Sequence, residues 1–305
     1  MDSVTAYAPG STSNVGPGFD CLGIAVAGIG DRVTARRSKG IGVRVASVTD
    51  PRIPLESHRN TAALAASEVV RRLGALEGLE LVIRKGLPLS GGLGGSAASA
   101  VAGAVAANAL LEGGLNETAL LQCALEAEAV VAGRHPDNVA PSLLGGAVVV
   151  LGTEPLRYVR LTVHASLRFV FVTPGYGVLT AEARSVLPAS VPREDAVGQA
   201  AALAGLVLAL ERGNGDLLRE VMRDRLAEPS RIPLYPGFVE AREAALAAGA
   251  YGVAVSGAGP TLLAVVGEPL AAVVARSVAA AYERAGTKPA AVRVSSVDDR
   301  GARVE

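Results

Sequence analysis

The stretch Leu87–Asn108 reads LPLSGGLGGSAASAVAGAVAAN. Four glycines, at 91, 92, 94 and 95, stand immediately before an alanine-rich run with the composition of a helix. The first amides of a helix have no partner within it and carry partial positive charge. Glycines just ahead of such a start let an anion approach those amides closely. A glycine turn capped by Ser96 is the simpler alternative, and the loop alone does not choose between them. No Lys follows the last glycine as it does in G-K-[ST], and the spacing is not that of a dinucleotide fingerprint.

Composition narrows the options. The chain has 305 residues, half of them hydrophobic, which is enough for a sizeable core and favours two domains. Formal net charge is 0, so there is no broad basic footprint for nucleic acid. With 4 Phe, 6 Tyr and no Trp, stacking platforms for bases are not expected either. Charge balance leaves room for a small anionic ligand, because a nest of amides needs no net charge. Cys21 and Cys123 fit no metal spacing and read as reduced structural thiols of a cytoplasmic protein. The opening MDSVTAYAPG lacks the features of a signal peptide. No apolar run reads as a membrane span.

Away from the loop, the pattern mixes strands and helices. DRVTARRS and IGVRVAS alternate as half-buried strands do. A helix is expected over 61–73, capped by Asn60 or Thr61 and stopped at Gly74. Another runs from Asn116 toward Gly133, and the loop helix itself from about Ser96 to Leu111. In the second half, helices are expected over EDAVGQAAALAGLVLALERG, GDLLREVMRDRLAE, PGFVEAREAALAAGA and LAAVVARSVAAAYERAG. Strands are expected over RFVFVTP, around the Gly-Pro loop of YGVAVSGAGPTLLAVVG, and over AAVRVSSV. Hairpin-like pairs favour α+β over a doubly wound parallel sheet. The rhythm changes near residue 160, which divides the chain into domains 1–160 and 161–305.

Three stretches in order change the reading of the loop. They are PGSTSNVGPGFDCLG at 9–23, GLGGSAAS at 92–99 and SGAGPT at 256–261. This ordered triple resembles the GHMP kinase superfamily. NVGPGFDCLG together with HPDNVAPSLLGG at 135–146 resembles its homoserine kinase family in particular. The resemblance runs from Pro9 to Thr261. It implies a two-domain α+β fold: an N-terminal domain like ribosomal protein S5 domain 2 and a ferredoxin-like C-terminal domain. It implies ATP and Mg²⁺, and phosphorylation of L-homoserine to O-phospho-L-homoserine in threonine biosynthesis. On the family's precedent the protein is expected to be a cytoplasmic enzyme that can form a homodimer, and its composition leaves no nucleic-acid or membrane partner.

The resemblance assigns roles residue by residue. The nucleotide lies on Pro88, Leu89, Ser90, Gly91, Gly92, Leu93, Gly94, Gly95, Ser96 and Ala97. Asn60 matches a nucleotide-side contact and is equally well read as a helix cap. The Ser96 hydroxyl reaches Mg²⁺, and it can cap the helix at the same time. The family often writes GLGSSAAS, and here Gly95 replaces the first Ser, so any hydroxyl contact from that position is lost. Glu128 is the Mg²⁺-binding acid. Its competitor Glu126 points about 200° away on the same helix, so only one can face the site. Without the resemblance, either would be a solvated helix charge.

On the acceptor side, Asn14 sits near the hydroxyl and Asp20 takes the ammonium. Arg184 and Arg231 hold the carboxylate, with Thr180 in the same pocket and His135 and Asn138 in contact with substrate. Bidentate arginine fixes orientation as well as charge. Asn14, Asp20 and Arg184 carry the catalytic alignment. The plainer alternatives for the arginines are local ion pairs, Arg184 with Glu182 and Arg231 with Glu228. No clear Asp–Lys pair stands on the acceptor side, so the hydroxyl proton is expected to leave late, without a dedicated strong base. His135, His58 and His164 form no zinc pattern. A mevalonate- or shikimate-type kinase would keep the ATP residues and have no need of Asp20, Arg184 and Arg231 together. A non-catalytic nucleotide-binding module is disfavoured by the presence of both Ser96 and Glu128.

Overall fold

The structure, a computed structural model, describes residues 2–131 and 133–305. In chain order its first half comprises β1 (Ser3–Asn14), β2 (Gly18–Ser38), β3 (Val43–Val48), α1 (Thr61–Leu73), β4 (Gly78–Arg84), α2 (Gly95–Leu110), α3 (Glu117–Val131), α4 (Pro136–Leu144), β5 (Ala147–Thr153) and β6 (Leu156–Leu161). The second half comprises β7 (Leu167–Pro174), α5 (Thr180–Ser185), α6 (Arg193–Arg212), α7 (Gly215–Val221), α8 (Glu228–Arg231), α9 (Phe238–Ala247), β8 (Gly252–Val255), β9 (Leu262–Gly267), α10 (Ala271–Arg284), β10 (Pro289–Ser295) and β11 (Arg303–Val304).

The first sheet has seven strands and is organised by β2. This one strand of 21 residues joins two stretches that the sequence presents separately. It pairs with β1 along its length, with β4 through Arg32–Ser38, and with β5 through Leu22–Ile24. β1 likewise continues past Pro9-Gly10, absorbing that turn signal as a register shift between the two residues. Proline inside a strand is tolerated at such irregularities. α1, α2, α3 and α4 pack together, with α2 and α4 also on β1 and β2. α2 is apolar nearly all round and buries eleven of its sixteen residues, so it lies at the centre of this layer.

The second sheet runs β10-β7-β9-β8 and is antiparallel. Its strands alternate in the two-residue period. Phe169, Phe171, Leu263 and Val265 join the same core as the first domain, reached through Leu206 and Leu210 of α6 and Leu218 of α7. Val170, Val172, Leu262 and Ala264 face the other way, onto Phe238 of α9 and Val274 and Val278 of α10. The last strand, β11, returns to the first sheet beside β1.

One expectation needs correction. The helix expected over 215–228 stops at Val221 and resumes only as the short α8. Asp224 captures the amides of Leu226, Ala227 and Glu228, and these local bonds compete with a continuous helix. The segment HPDNVAPSLL, to which the sequence pattern gave no helix, is α4, with Pro136 and Asp137 in its first turn. Proline suits the first helical position because no amide is needed there. The expected stop of α3 near Gly133 spans Ala132, which lies outside the described residues.

Candidate active site between the two sheets

The three motifs meet. The Ser256 hydroxyl donates to the Gly92 carbonyl at 2.7 Å and lies 2.8 Å from the Thr12 hydroxyl. The Gly257 amide donates to the Ser13 carbonyl at 3.1 Å, and the Ser11 amide to the Leu93 carbonyl at 3.2 Å. Asn14 Nδ2 donates to the Gly257 carbonyl at 2.8 Å. The N-terminal strand, the glycine loop and the β8–β9 turn are thus stitched together around a cavity of about 530 Å³.

Of the residues singled out in the sequence, all line this cavity except one. Leu93 is the correction: it is 2 % exposed and packs into the core, and its carbonyl holds β1. Loop residues can alternate between facing a ligand and anchoring the loop, and Leu93 does the second.

On one side lies the start of α2. Its N-cap is Gly94 in the left-handed region, at φ 63°, with no side-chain cap. The capping role expected of Ser96 is therefore absent, because the helix begins one residue earlier. The first amides of α2 are left without a side-chain shield, the condition under which a helix start binds an anion. A Cβ on Gly94 would stand 2.2 Å from Ser11 Oγ, and one on Gly92 2.2 Å from the Ser256 carbonyl oxygen. The backbone lies too close to its neighbours there for any side chain.

Glu128 on α3 is 1 % exposed, and its Oε1 has no hydrogen-bond partner among the described residues. Burial pushes its carboxyl up to about 7; the Ser96 hydrogen bond and the Lys85 charge oppose this, and Asp137 adds to it. An unpartnered buried carboxylate oxygen beside a serine hydroxyl fits a hard cation that takes oxygen ligands. Glu126 instead lies on the exposed side, paired with Arg134.

Asn60 is the cap of α1: its Oδ1 accepts from the Ala62 and Ala63 amides, and its Nδ2 donates to the Pro54 carbonyl. It also lines the cavity.

The opposite side carries the groups that resemble an amino-acid site. Asn14 and Asp20 both adopt positive φ, 72° and 55°, which non-glycine residues seldom do. Asn14 fixes this turn, since its Oδ1 accepts the Asp20 amide at 3.0 Å. Asp20 and Arg184 form a two-pronged pair, at 2.8 and 3.1 Å, and Arg184 Nη2 lies 3.1 Å from His135 Nδ1. The anticipated Arg184–Glu182 pair is not what the structure contains.

Arg231 is 3 % exposed. Its Nε donates to the Ala183 carbonyl and its Nη1 to the Gly257 carbonyl, and its guanidinium lies 5.2 Å from the Phe19 ring centre. Glu228, the local partner anticipated for it, pairs with Arg242 and accepts the Val255 amide. Arg231 is thus a buried cation held by carbonyls, with no carboxylate in an ion pair with it among the described residues. Asn138 donates to Ser13 Oγ and accepts from Ser11 Oγ, both at 3.1 Å. Thr180 opens α5 at the cavity edge.

Two further residues line the cavity, one with no signal in the sequence and one inside the HPDN motif. The first is Lys85, whose Nζ pairs with Asp31 and donates to the Gly95 carbonyl at 2.7 Å and to Ser99 Oγ at 2.9 Å. Asp31 also accepts the Gly86 and Leu87 amides and the Ser99 hydroxyl. This Asp–Lys pair stands on the loop side, not the acceptor side. A search for a lysine following the glycines passes over it, because Lys85 precedes them. The second is Asp137, a fully buried carboxyl that lines the cavity. Burial and the charge of Asp20 push it up to about 6, against the Ser13 hydrogen bond and Arg184.

Comparison with known proteins assigns the chain's family. The model of the GHMP kinases N terminal domain matches residues 60–146, and that of the GHMP kinases C terminal domain matches 206–284. The homoserine kinase of Methanopyrus kandleri is 46 % identical over 267 residues, covering 86 % of this chain and 87 % of its own. The homoserine kinase of Arabidopsis thaliana is 38 % identical over 312 residues, covering 99 % of this chain and 84 % of its own. The chain belongs to the homoserine kinase family of GHMP kinases. The crystal structure of homoserine kinase from Cytophaga hutchinsonii superposes with a TM-score of 0.96 at 37 % identity, covering 100 % of this chain and 98 % of that one. The two-domain GHMP kinase fold is therefore the fold of this family member, with α+β mixing in both halves.

Among the described residues, no helix is long and apolar enough to cross a membrane, and no group of three or more His, Cys, Asp or Glu could hold a metal. Cys21 and Cys123 are both free.

Proposed function

We propose that this protein transfers the γ-phosphoryl group of ATP to the side-chain hydroxyl of L-homoserine, giving ADP and O-phospho-L-homoserine. One observation carries the choice of acceptor. The buried, unneutralised Arg231 guanidinium faces the same cavity as the carboxylate of Asp20, so one wall attracts both ends of an amino-acid zwitterion.

Phosphoryl transfer asks a protein mainly for alignment and charge stabilisation. The amides at the start of α2 donate to phosphate oxygens, and Lys85, neutralised by Asp31, holds the loop in place through the Gly95 carbonyl. Ser96 and Glu128 are the residues that would hold Mg²⁺. Bound there, the ion neutralises phosphate charge and orients the transferring group. Arg231 and Arg184 take the carboxylate, and Asp20 takes the ammonium. Asn14 sets the Asp20 backbone, so it acts on alignment through its neighbour. Thr180 and His135 border the acceptor from α5 and from the segment before α4.

The test is an ADP-release assay with Mg-ATP and a panel of alcohols: L-homoserine, L-threonine, L-serine, mevalonate, shikimate and galactose. Selective turnover of L-homoserine is expected. Turnover of another alcohol in its place overturns the acceptor assignment and leaves the nucleotide site standing.

A further inference from the structure

Asp20 and Arg184 come from different halves of the chain, β2 and α5, yet they bond to each other. Each is about two-fifths exposed, at 41 % and 38 % of the side chain, so both are reachable from the cavity. They are also the two groups assigned to opposite ends of the substrate. We infer that this ion pair occupies the acceptor site until an amino acid replaces it, each charge of the zwitterion taking over one half of the pair. The inference rests on the acceptor proposed above and specifies how that site selects.

The physical consequence follows from what each ligand leaves behind. A zwitterion trades one ion pair for two and strands nothing. A hydroxy acid such as 4-hydroxybutyrate satisfies Arg184 but leaves the Asp20 carboxylate without a partner. An amino alcohol such as 3-aminopropan-1-ol satisfies Asp20 but leaves Arg184 unpaired, with Arg231 close enough that the two cations repel. A site that leaves its own polar groups unpaired rejects the incomplete ligand strongly. The pair also ties α5 to β2, alongside the Arg231 bond to the Ala183 carbonyl.

The experiment uses the full-length protein, Asp20→Asn and Arg184→Gln, with two readouts. The first is affinity for L-homoserine, 4-hydroxybutyrate and 3-aminopropan-1-ol. Asp20→Asn is expected to weaken homoserine at least tenfold while tightening 4-hydroxybutyrate. Arg184→Gln is expected to weaken homoserine while tightening the amino alcohol. The second is hydrogen–deuterium exchange of residues 180–187 without ligand. Losing a half-exposed pair worth up to about 1 kcal/mol raises exchange there roughly 3- to 5-fold in either variant.

Faster exchange together with the crossed affinities supports the inference. Crossed affinities with unchanged exchange overturn it, because that is simple like-charge repulsion of the ligand with no pair to open. Weakening of all three ligands in Asp20→Asn overturns it as well. Failure of the acceptor assignment is recognised separately, since wild-type protein would then not turn over homoserine in the first place.

Discussion

Arg231 is the residue on which substrate orientation depends most in the proposed reaction. Its guanidinium is buried, and its bonds to two carbonyls leave its charge unneutralised. Removing a charge-assisted bond to a carboxylate costs about 1.5–3 kcal/mol, so Arg231→Ala is expected to raise KM for homoserine about 10- to 100-fold. Arg231→Lys is expected to fall on the same side, because a point charge lacks the fork. Steady-state kinetics with ATP saturating checks both. Glu128 makes a different prediction. Glu128→Gln keeps the shape and removes the charge that suits a cation. A loss of activity on the order of 100-fold is expected, with a raised Mg²⁺ requirement in a metal titration. EDTA is expected to abolish wild-type activity and added Mg²⁺ to restore it.

Asp137 is a residue whose cost depends on pH. Its folded carboxyl titrates near 6, above its ordinary value, with Asp20, Arg184, Glu128 and Cys21 among the groups that feel or shape its charge. A raised carboxyl favours the folded state below the unfolded value, near 4, and that stability is lost as pH rises through about 6. Asp137→Asn is therefore expected to raise the melting temperature at pH 8, by no more than about 3 kcal/mol of stability, and to lose that advantage toward pH 4. Thermal melts of both proteins across this range check the sign. A constant difference at all pH values would refute it.

At the scale of the element, the glycine loop shows what a local pattern conveys. The sequence made plain that a glycine turn precedes a helix, and that helix is α2. Which glycines are indispensable comes from their neighbours. Gly94 sits at φ 63° with Ser11 against it, whereas a Cβ on Gly95 meets nothing closer than 3.5 Å. Gly94→Ala is expected to raise KM for ATP at least tenfold and to cost about 1–2 kcal/mol of stability. Gly95→Ser is expected to keep both within a few-fold of wild type, since the family often writes Ser there. The caps of α1 at Asn60 and Gly74 were equally legible, because capping is a local interaction. The break after α7 was not, because Asp224 is an ordinary helix-face residue until its carboxylate turns onto the backbone.

In the molecule as a whole, β6 of the first sheet ends at Leu161 and β7 of the second begins at Leu167, while β11 returns to the first. The proposed halves are not independent in packing. Phe169, Phe171, Leu206, Leu210 and Leu218 bury themselves in the same core as β1, β2 and α2. Cooperative units follow continuous cores, so a single calorimetric unfolding transition is expected for the full chain. A fragment ending at residue 160 is expected to aggregate, since it uncovers the apolar surface that those residues fill. Two resolved transitions would count against a shared core.

The α+β mixture, most helix ends and the family are legible in the chain as a string of residues, as are the residue types of the proposed ATP-and-amino-acid site. Those depend on local periodicity, on caps, and on motifs read as contiguous strings. Which charges neutralise one another emerged only from the packed fold. It paired Asp20 with Arg184 and Lys85 with Asp31, and left Arg231 with carbonyls alone. It also turned Leu93 inward and brought Asp137 to the cavity wall. The reason is that electrostatic and packing energies depend on distance and burial, and residues 164 positions apart along the chain become neighbours only when the strands and helices between them have packed.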